Sequence, residues 1–386
     1  MLIDFNFSIK HLFIILYIAL IILTRQLVFS NQLYGFFEYT ETINIPTLIS
    51  LMQLTGIFLD KIRKKQIISK NIDSNNMIDS PEKNVPVEVS NKILKFYVIL
   101  ITCGVFEGIR YYYSIYLRKG KADIGYYIST LLLIEIMIYS YFFLGIISYS
   151  HHFLCVGIFF ISDILNALKY CLYNDFSFIN IFLKMINNYM TNGFDFLFSV
   201  LKLCLEKYML EFIDSSPFLI LYYEGIVQVI GFSIMNIIYI LKDFFINDIN
   251  EFGLEQLLFL KEFFSHWFLV LIYCVLILML KILELLINES FGPYYFGLTS
   301  TSFIFLRFYD YILIILGKED AETYIVLDIF YYIGYIIGVC IFCELIIINA
   351  LGLGKNTKKN LHNKKKTDIN QLEEEIDNMN LSDTSI

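Results

Sequence analysis

Charge is scarce along this chain. Asp, Glu, Lys and Arg make up 17% of its 386 residues, 57% are hydrophobic, and the mean hydropathy is +0.63. A soluble domain of this length needs far less apolar surface to fill its core, so the excess is expected to face lipid. A basic stripe is missing too: the formal net charge is -8 with acids and bases scattered, which argues against nucleic acid as a partner. Cys340 and Cys343 sit at i, i+3 on one helical face, but no His or second cysteine pair lies near them. Cys103, Cys155, Cys204, Cys274, Cys340 and Cys343 fall inside apolar runs and read as small buried hydrophobes, so no metal site is expected. No Gly-rich phosphate loop, nucleophile elbow or catalytic carboxylate pair occurs on a loop able to house one. The chain is therefore expected to be no enzyme and to need no cofactor.

What the sequence does contain is long apolar runs. Backbone groups cannot stay unpaired in hydrocarbon, so a span takes about 20 apolar residues of helix. Clear runs cover 11–30, 93–117, 125–147, 152–172, 217–241, 264–287, 293–316 and 324–351, with weaker ones at 45–59 and 193–212. The first is not a cleaved leader, because it exceeds the usual length and Thr24-Arg25-Gln26 stands where small residues would be needed. The expected fold is an all-α membrane protein of about ten transmembrane helices. Residues 1–60 would hold helices one and two, 61–92 a disordered cytoplasmic loop and 93–172 helices three to five. A connector at 173–192 would lead into the second five-helix half at 193–351, and 352–386 would form a charged cytoplasmic tail.

Ten spans put both termini on one side. That side carries Lys10, seven bases from Lys61 to Lys92 and six from Lys355 to Lys366, while Arg118, Lys119, Lys121, Lys184, Lys242, Lys261 and Lys318 fall on the other. Cytoplasmic loops retain positive charge, which predicts cytoplasmic termini. Five helices per half would make the second half enter the membrane in the opposite sense, the inverted-repeat plan of many transporters. Asn44-Ile45-Pro46 and Ser215-Ser216-Pro217 open equivalent helices, as do Gly125-Tyr126-Tyr127 and Pro293-Tyr294-Tyr295.

Ionic side chains within the spans are the informative residues, since each costs a few kcal/mol unless paired or wet. Glu107 with Arg110, Lys281 with Glu284, and Arg307 with Asp310 are each spaced i, i+3, so acid and base share a helical face. Mutual neutralisation and contact with a solute both fit that spacing. The sixth helix carries Lys202, Glu206, Lys207 and Glu211, and the seventh Glu224, too polar for lipid on all sides; Glu206, Lys207 and Glu224 are expected near an interior cavity. Glu135 is a candidate for proton coupling or a structural acid, with Asp163, Asp328 and Glu344 as further isolated acids. His151-His152 point to different faces and read as an interfacial cap.

Short motifs point to a family. Glu206-Lys207-Tyr208-Met209-Leu210, Ser216-Pro217-Phe218 and Tyr223-Glu224-Gly225-Ile226 resemble the start of the second half in the drug/metabolite transporter superfamily, in particular divergent nucleotide-sugar-transporter-like proteins of protists and invertebrates. Tyr139-Ser140-Tyr141-Phe142-Phe143-Leu144 with His151-His152, and Glu344-Leu345-Ile346-Ile347 with 354–360, extend the resemblance over roughly 139–360. It implies two inverted five-helix halves, alternating access and a polar organic solute: a nucleotide sugar, a phosphorylated metabolite or an amine. Thr24-Arg25-Gln26 departs from the Lys-containing stretch usual at the end of the first helix, and no nucleotide-sugar recognition motif is evident, so solute class does not carry over. The expected partners are a small polar solute and the bilayer. The competing possibility is a non-transporting scaffold or receptor using the 61–92 loop and the tail.

Overall fold

The computed structural model describes residues 3–5, 11–30, 44–74, 86–116, 129–174, 178–246, 249–293, 325–342 and 344–348. These are almost entirely helical. In chain order they form β1 (Ile3–Phe5), α1 (His11–Ser30), α2 (Asn44–Gln53), α3 (Gly56–Ser74), α4 (Pro86–Tyr116), α5 (Ser129–Leu144), α6 (Ser150–Asn174), α7 (Phe178–Phe212), α8 (Pro217–Ile246), α9 (Ile249–Phe291), α10 (Ile325–Phe342) and β2 (Ile346–Ile348). Among the described residues, three stretches are long and apolar enough to cross a membrane: Ser150–Lys169, Pro217–Met235 and Phe264–Phe291. Shorter apolar helices run over Leu12–Thr24, Leu133–Leu144 and Ile329–Phe342.

Polarity is distributed as in a membrane protein. Phe142, Phe264, Ile179, Phe58 and Leu94 lie exposed, whereas Lys202, Glu206, Glu224, Gln53, Gln228 and Asn288 are buried. A soluble fold would scatter its exposed apolar side chains and keep its lysines and glutamates in water.

Two apolar clusters hold the helices. Ile14, Ile136, Cys155, Phe159, Val200, Cys204, Ile287 and Tyr335 join α1, α5, α6, α7, α9 and α10. Phe96, Leu100, Cys103, Met209, Ile220, Leu221 and Leu285 join α4, α7, α8 and α9. Neighbours alternate in direction. On α2–α3, Ser50 meets Gln228 while Gly56 meets Phe218 and Tyr222, so this segment runs antiparallel to α8. His152 meets Phe342 and Ser162 meets Gly334, which makes α6 and α10 antiparallel.

The turn from α7 to α8 is set locally. Asp214 takes a left-handed φ of 59°, and the Ser215 N–H donates to the Met209 carbonyl at 3.1 Å, which satisfies an end carbonyl of α7. Ser216 then caps α8, its carbonyl accepting from Leu219 and Ile220 at 3.0 and 3.1 Å, and Pro217 occupies the first position, where no N–H is needed. The tight connection brings Glu206 and Glu224 into one layer.

Several expected boundaries move. Residues 61–74 continue α3 and 86–92 begin α4, so these parts of the expected loop are helical; Asp60 and Lys64 pair at i, i+4 (2.8 Å), and Arg63 reaches Glu289 on α9 at 2.7 Å. Residues 178–192, expected as connector, belong to α7. The second apolar run is broken at Leu54–Thr55, where the Thr55 hydroxyl and N–H both donate to the Met52 carbonyl. The last helix stops at Phe342, and β2 pairs antiparallel with β1, Ile3 opposite Ile348. The expected span at 293–316 and the tail at 352–386 lie outside the described residues, apart from Pro293.

Candidate functional site

Four helices converge on one buried ionic cluster. Lys202 on α7 lies 3.3 Å from Glu206 Oε1 one turn along its own helix, 3.4 Å from Glu224 Oε2 on α8, and 3.8 Å from Glu107 Oε2 on α4. Lys281 on α9 lies 3.8 Å from the other oxygen of Glu107 and 3.5 Å from Glu284 Oε2. Lys202, Glu206 and Glu224 side chains are 4%, 2% and 2% exposed, while Lys281, Glu284 and Glu107 reach 20%, 19% and 12%. The cluster therefore grades from a sealed floor at Lys202 to an accessible rim at Lys281. Counting along the helices places it about 9–15 Å from the α7–α8 turn and the end of α9, at 1.5 Å rise per residue.

A polar wall continues from it. Asn288 Nδ2 donates to the Leu203 carbonyl at 2.9 Å and to Glu206 Oε2 at 3.4 Å. Gln228 stands one turn beyond Glu224, its Oε1 accepting from the Ser50 hydroxyl at 3.1 Å. Close contact makes this possible: a Cβ on Gly225 would sit 2.9 Å from both Gln53 Cβ and the Ser50 carbonyl. Only a residue without a side chain lets α2 approach so near.

Five of the expected site residues come together here: Glu107, Glu206, Glu224, Lys281 and Glu284. The spacing of Lys281 and Glu284 yields the predicted intrahelical pair. Glu107 pairs across helices with Lys202 and Lys281; the side chain of Arg110, and all of Arg307 and Asp310, lie outside the described residues. Lys207 is a correction. It is buried but turned away, donating to the Glu289 carbonyl at 2.9 Å and pairing with Glu211 at 2.8 Å. Adjacent helical residues point about 100° apart, so Glu206 and Lys207 cannot both face the cluster. Lys202 was not singled out as a site residue, although its i, i+4 relation to Glu206 on a mostly apolar helix was the available signal.

A second ionic group closes the end of the bundle beyond the cluster. Arg63 on α3 grips Glu289 on α9 at 2.7 and 3.5 Å, with Lys207 on the Glu289 carbonyl alongside. Nearby, burial pushes the Asp60 carboxyl up, but the Lys64 hydrogen bond and the Lys64 and Arg63 charges prevail and hold it below its usual range. On the α6–α10 side His151 stands 3.5 Å from Glu344, and His152 Nδ1 accepts from the Tyr149 N–H at 2.9 Å, capping the start of α6. Asp163 accepts from the Thr130 N–H and hydroxyl at 3.1 and 2.6 Å, which ties α5 to α6.

No family model matches the chain, and no curated protein matches it. Among the described residues, no set of His, Cys, Asp and Glu is arranged to hold a metal ion. The cluster can orient a polar solute by charge and hydrogen bonding, in a setting where each buried ion needs a counter-charge.

Proposed function

We propose that this chain is an integral, multi-pass membrane transporter that moves a small polar organic solute by alternating access, with the Lys202–Lys281 cluster as its binding site. The observation that carries it is the exchange pattern of helix neighbours. Two inverted five-helix halves would make α1 equivalent to α7, α2–α3 to α8, α4 to α9 and α6 to α10. Under that exchange α2 against α8 and α6 against α10 map onto themselves. The contact of α1 with α9 maps onto that of α7 with α4, and α2 with α9 onto α8 with α4; all four are present, whereas α8 with α9 and α7 with α9 have no comparable counterpart with α4 among the described residues. Directions agree. Ile14 and Ile287 share one cluster while Leu27 packs by Val270 and Cys274, so α1 opposes α9. Phe106 meets Phe198 with ring centroids 5.1 Å apart while Phe96 clusters with Met209, so α4 opposes α7.

The β1–β2 pair ties the start of the chain to the end of α10, which supports placing both termini on one face. The excess of bases on that face supports calling it cytoplasmic. Arg63 and Glu289 then bridge the two halves on the cytoplasmic side, about 12 Å along α9 from Lys281. Separating them while the opposite side closes would expose the cluster to each compartment in turn. The drug/metabolite transporter resemblance points to the same architecture.

The test is uptake by purified protein in liposomes, screened with nucleotide sugars, sugar phosphates, amines and nucleobases. One class should be accumulated, and Lys281→Ala should abolish its uptake while the protein still inserts and stays monodisperse. Absence of flux for every class, or full flux in Lys281→Ala, would refute the assignment.

A further inference from the structure

On the footing that the cluster is a transport site, we infer that its solute is a small organic cation with N–H donors, an ammonium, taken up against Glu224. Three observations carry this.

The first is charge balance. Among the described residues the cluster contains two bases, Lys202 and Lys281, and four acids, Glu107, Glu206, Glu224 and Glu284. With all six ionised the excess is two negative charges. A buried excess of one sign is relieved either by protonation of a carboxyl or by a counter-charge from outside the set, and a cationic solute supplies the second.

The second is that both bases already face carboxylates. Lys202 is enclosed by carboxylates from α4, α7 and α8, and Lys281 by Glu107 and Glu284. A phosphate would have to displace a glutamate and add its own charge to the excess.

The third is where hydrogen-bonding capacity is left over. Both oxygens of Glu107 face a lysine, and those of Glu206 face Lys202 and Asn288. Glu224 differs: Oε2 faces Lys202, but Oε1 is buried with no partner, on a residue 2% exposed. Asn288 Oδ1 and Gln53 Oε1 are likewise buried acceptors without a partner, and Gln228 Nε2 one turn beyond Glu224 is a buried donor without one. Native interiors rarely leave such groups unsatisfied, and a surplus of acceptors calls for a ligand rich in donors. An ammonium supplies both the charge and the N–H groups. The groups placed beside Glu224 are Lys202 and Glu206 from α7 and Cys103 from α4; Glu107, Lys281 and Glu284 join through Lys202 and Glu206.

The experiment measures thermal stabilisation and liposome uptake of the full-length protein with methylammonium, putrescine, choline, glucose 6-phosphate and UDP-glucose. Methylammonium or putrescine should stabilise the protein and be taken up. Choline, which has the charge but no N–H, should bind about 10- to 100-fold more weakly, the value of a charge-assisted hydrogen bond. Glu224→Gln should lose amine binding by a similar factor, and Glu224→Asp, which keeps the charge, should retain it. Uptake of glucose 6-phosphate or UDP-glucose without any amine effect would overturn the inference and leave the transporter assignment standing. So would a proton flux insensitive to amines, or unchanged amine binding in Glu224→Gln. No uptake of any solute would remove the transporter assignment itself, and this inference with it.

Discussion

Replacing Lys202 by Met keeps the length of the side chain and deletes its charge. Glu206 and Glu224 each have Lys202 as their cation within 4 Å, while Glu107 keeps Lys281. Two carboxylates that are 2% exposed thus lose their counter-ion at once. Removing one partner of a buried ion pair costs about 3–5 kcal/mol, because the orphaned charge keeps its desolvation penalty. Lys202→Met should therefore lose about that much, and the decisive reading is a double-mutant cycle. Glu224→Gln removes one of the stranded charges, so the double variant Lys202→Met/Glu224→Gln should be more stable than the sum of the single losses predicts, by about 1–3 kcal/mol. Denaturant unfolding in detergent, followed by fluorescence of the single Trp and by residual ligand-free monodispersity, measures all three variants. A Lys202→Met protein as stable as the parent, or strictly additive losses, would refute the claim that these charges form one buried unit.

Other outcomes follow from the same geometry. Arg63→Ala should cost less than about 1 kcal/mol, since both partners are 33% exposed, yet it should open the bundle end. In a background where Cys103 is the sole cysteine, a small impermeant thiol reagent should then label it several times faster, and an unchanged rate would count against a closing role for the pair. Gly225→Ala places a Cβ 2.9 Å from the Ser50 carbonyl and should destabilise by about 1–3 kcal/mol in thermal unfolding, whereas a neutral effect would deny the close α2–α8 crossing. Asp60 has a folded-state pKa below its unfolded value, so its contribution is complete above the unfolded pKa and disappears as pH falls through the folded one. Asp60→Asn should thus lose about 0.5–1 kcal/mol at pH 7 and nothing in acid below both values, as a pH series of melting curves would register.

The helices were legible because apolar length alone forces them: α1 begins and ends at His11 and Ser30, where the apolar run does. Cluster residues were legible for a related reason, since Glu107, Glu206, Glu224, Lys281 and Glu284 in apolar runs must find partners. Which partners they find was not. Spacing of i, i+3 reports only on one helix, whereas the acceptor for both lysines, Glu107, is reached from α7 and α9. Nor does spacing choose between Glu206 and its neighbour Lys207, whose directions depend on the rotation of α7 against α9. The stretch 178–192 was expected as a connector between the two halves, yet it forms the first part of the α7 helix. The Ile3–Phe5 and Ile346–Ile348 strands are too short for a period of two to register, and their pairing is a long-range event that local sequence does not encode.

An experimental density map of the protein in lipid nanodiscs puts the central claim to its most direct trial. Residues 11–174 should superimpose on 178–342 by a half-turn about an axis in the membrane plane, with Lys202, Lys281 and their four glutamates enclosed at mid-depth. A map without that axis, or with those six side chains turned toward acyl chains, would contradict the account.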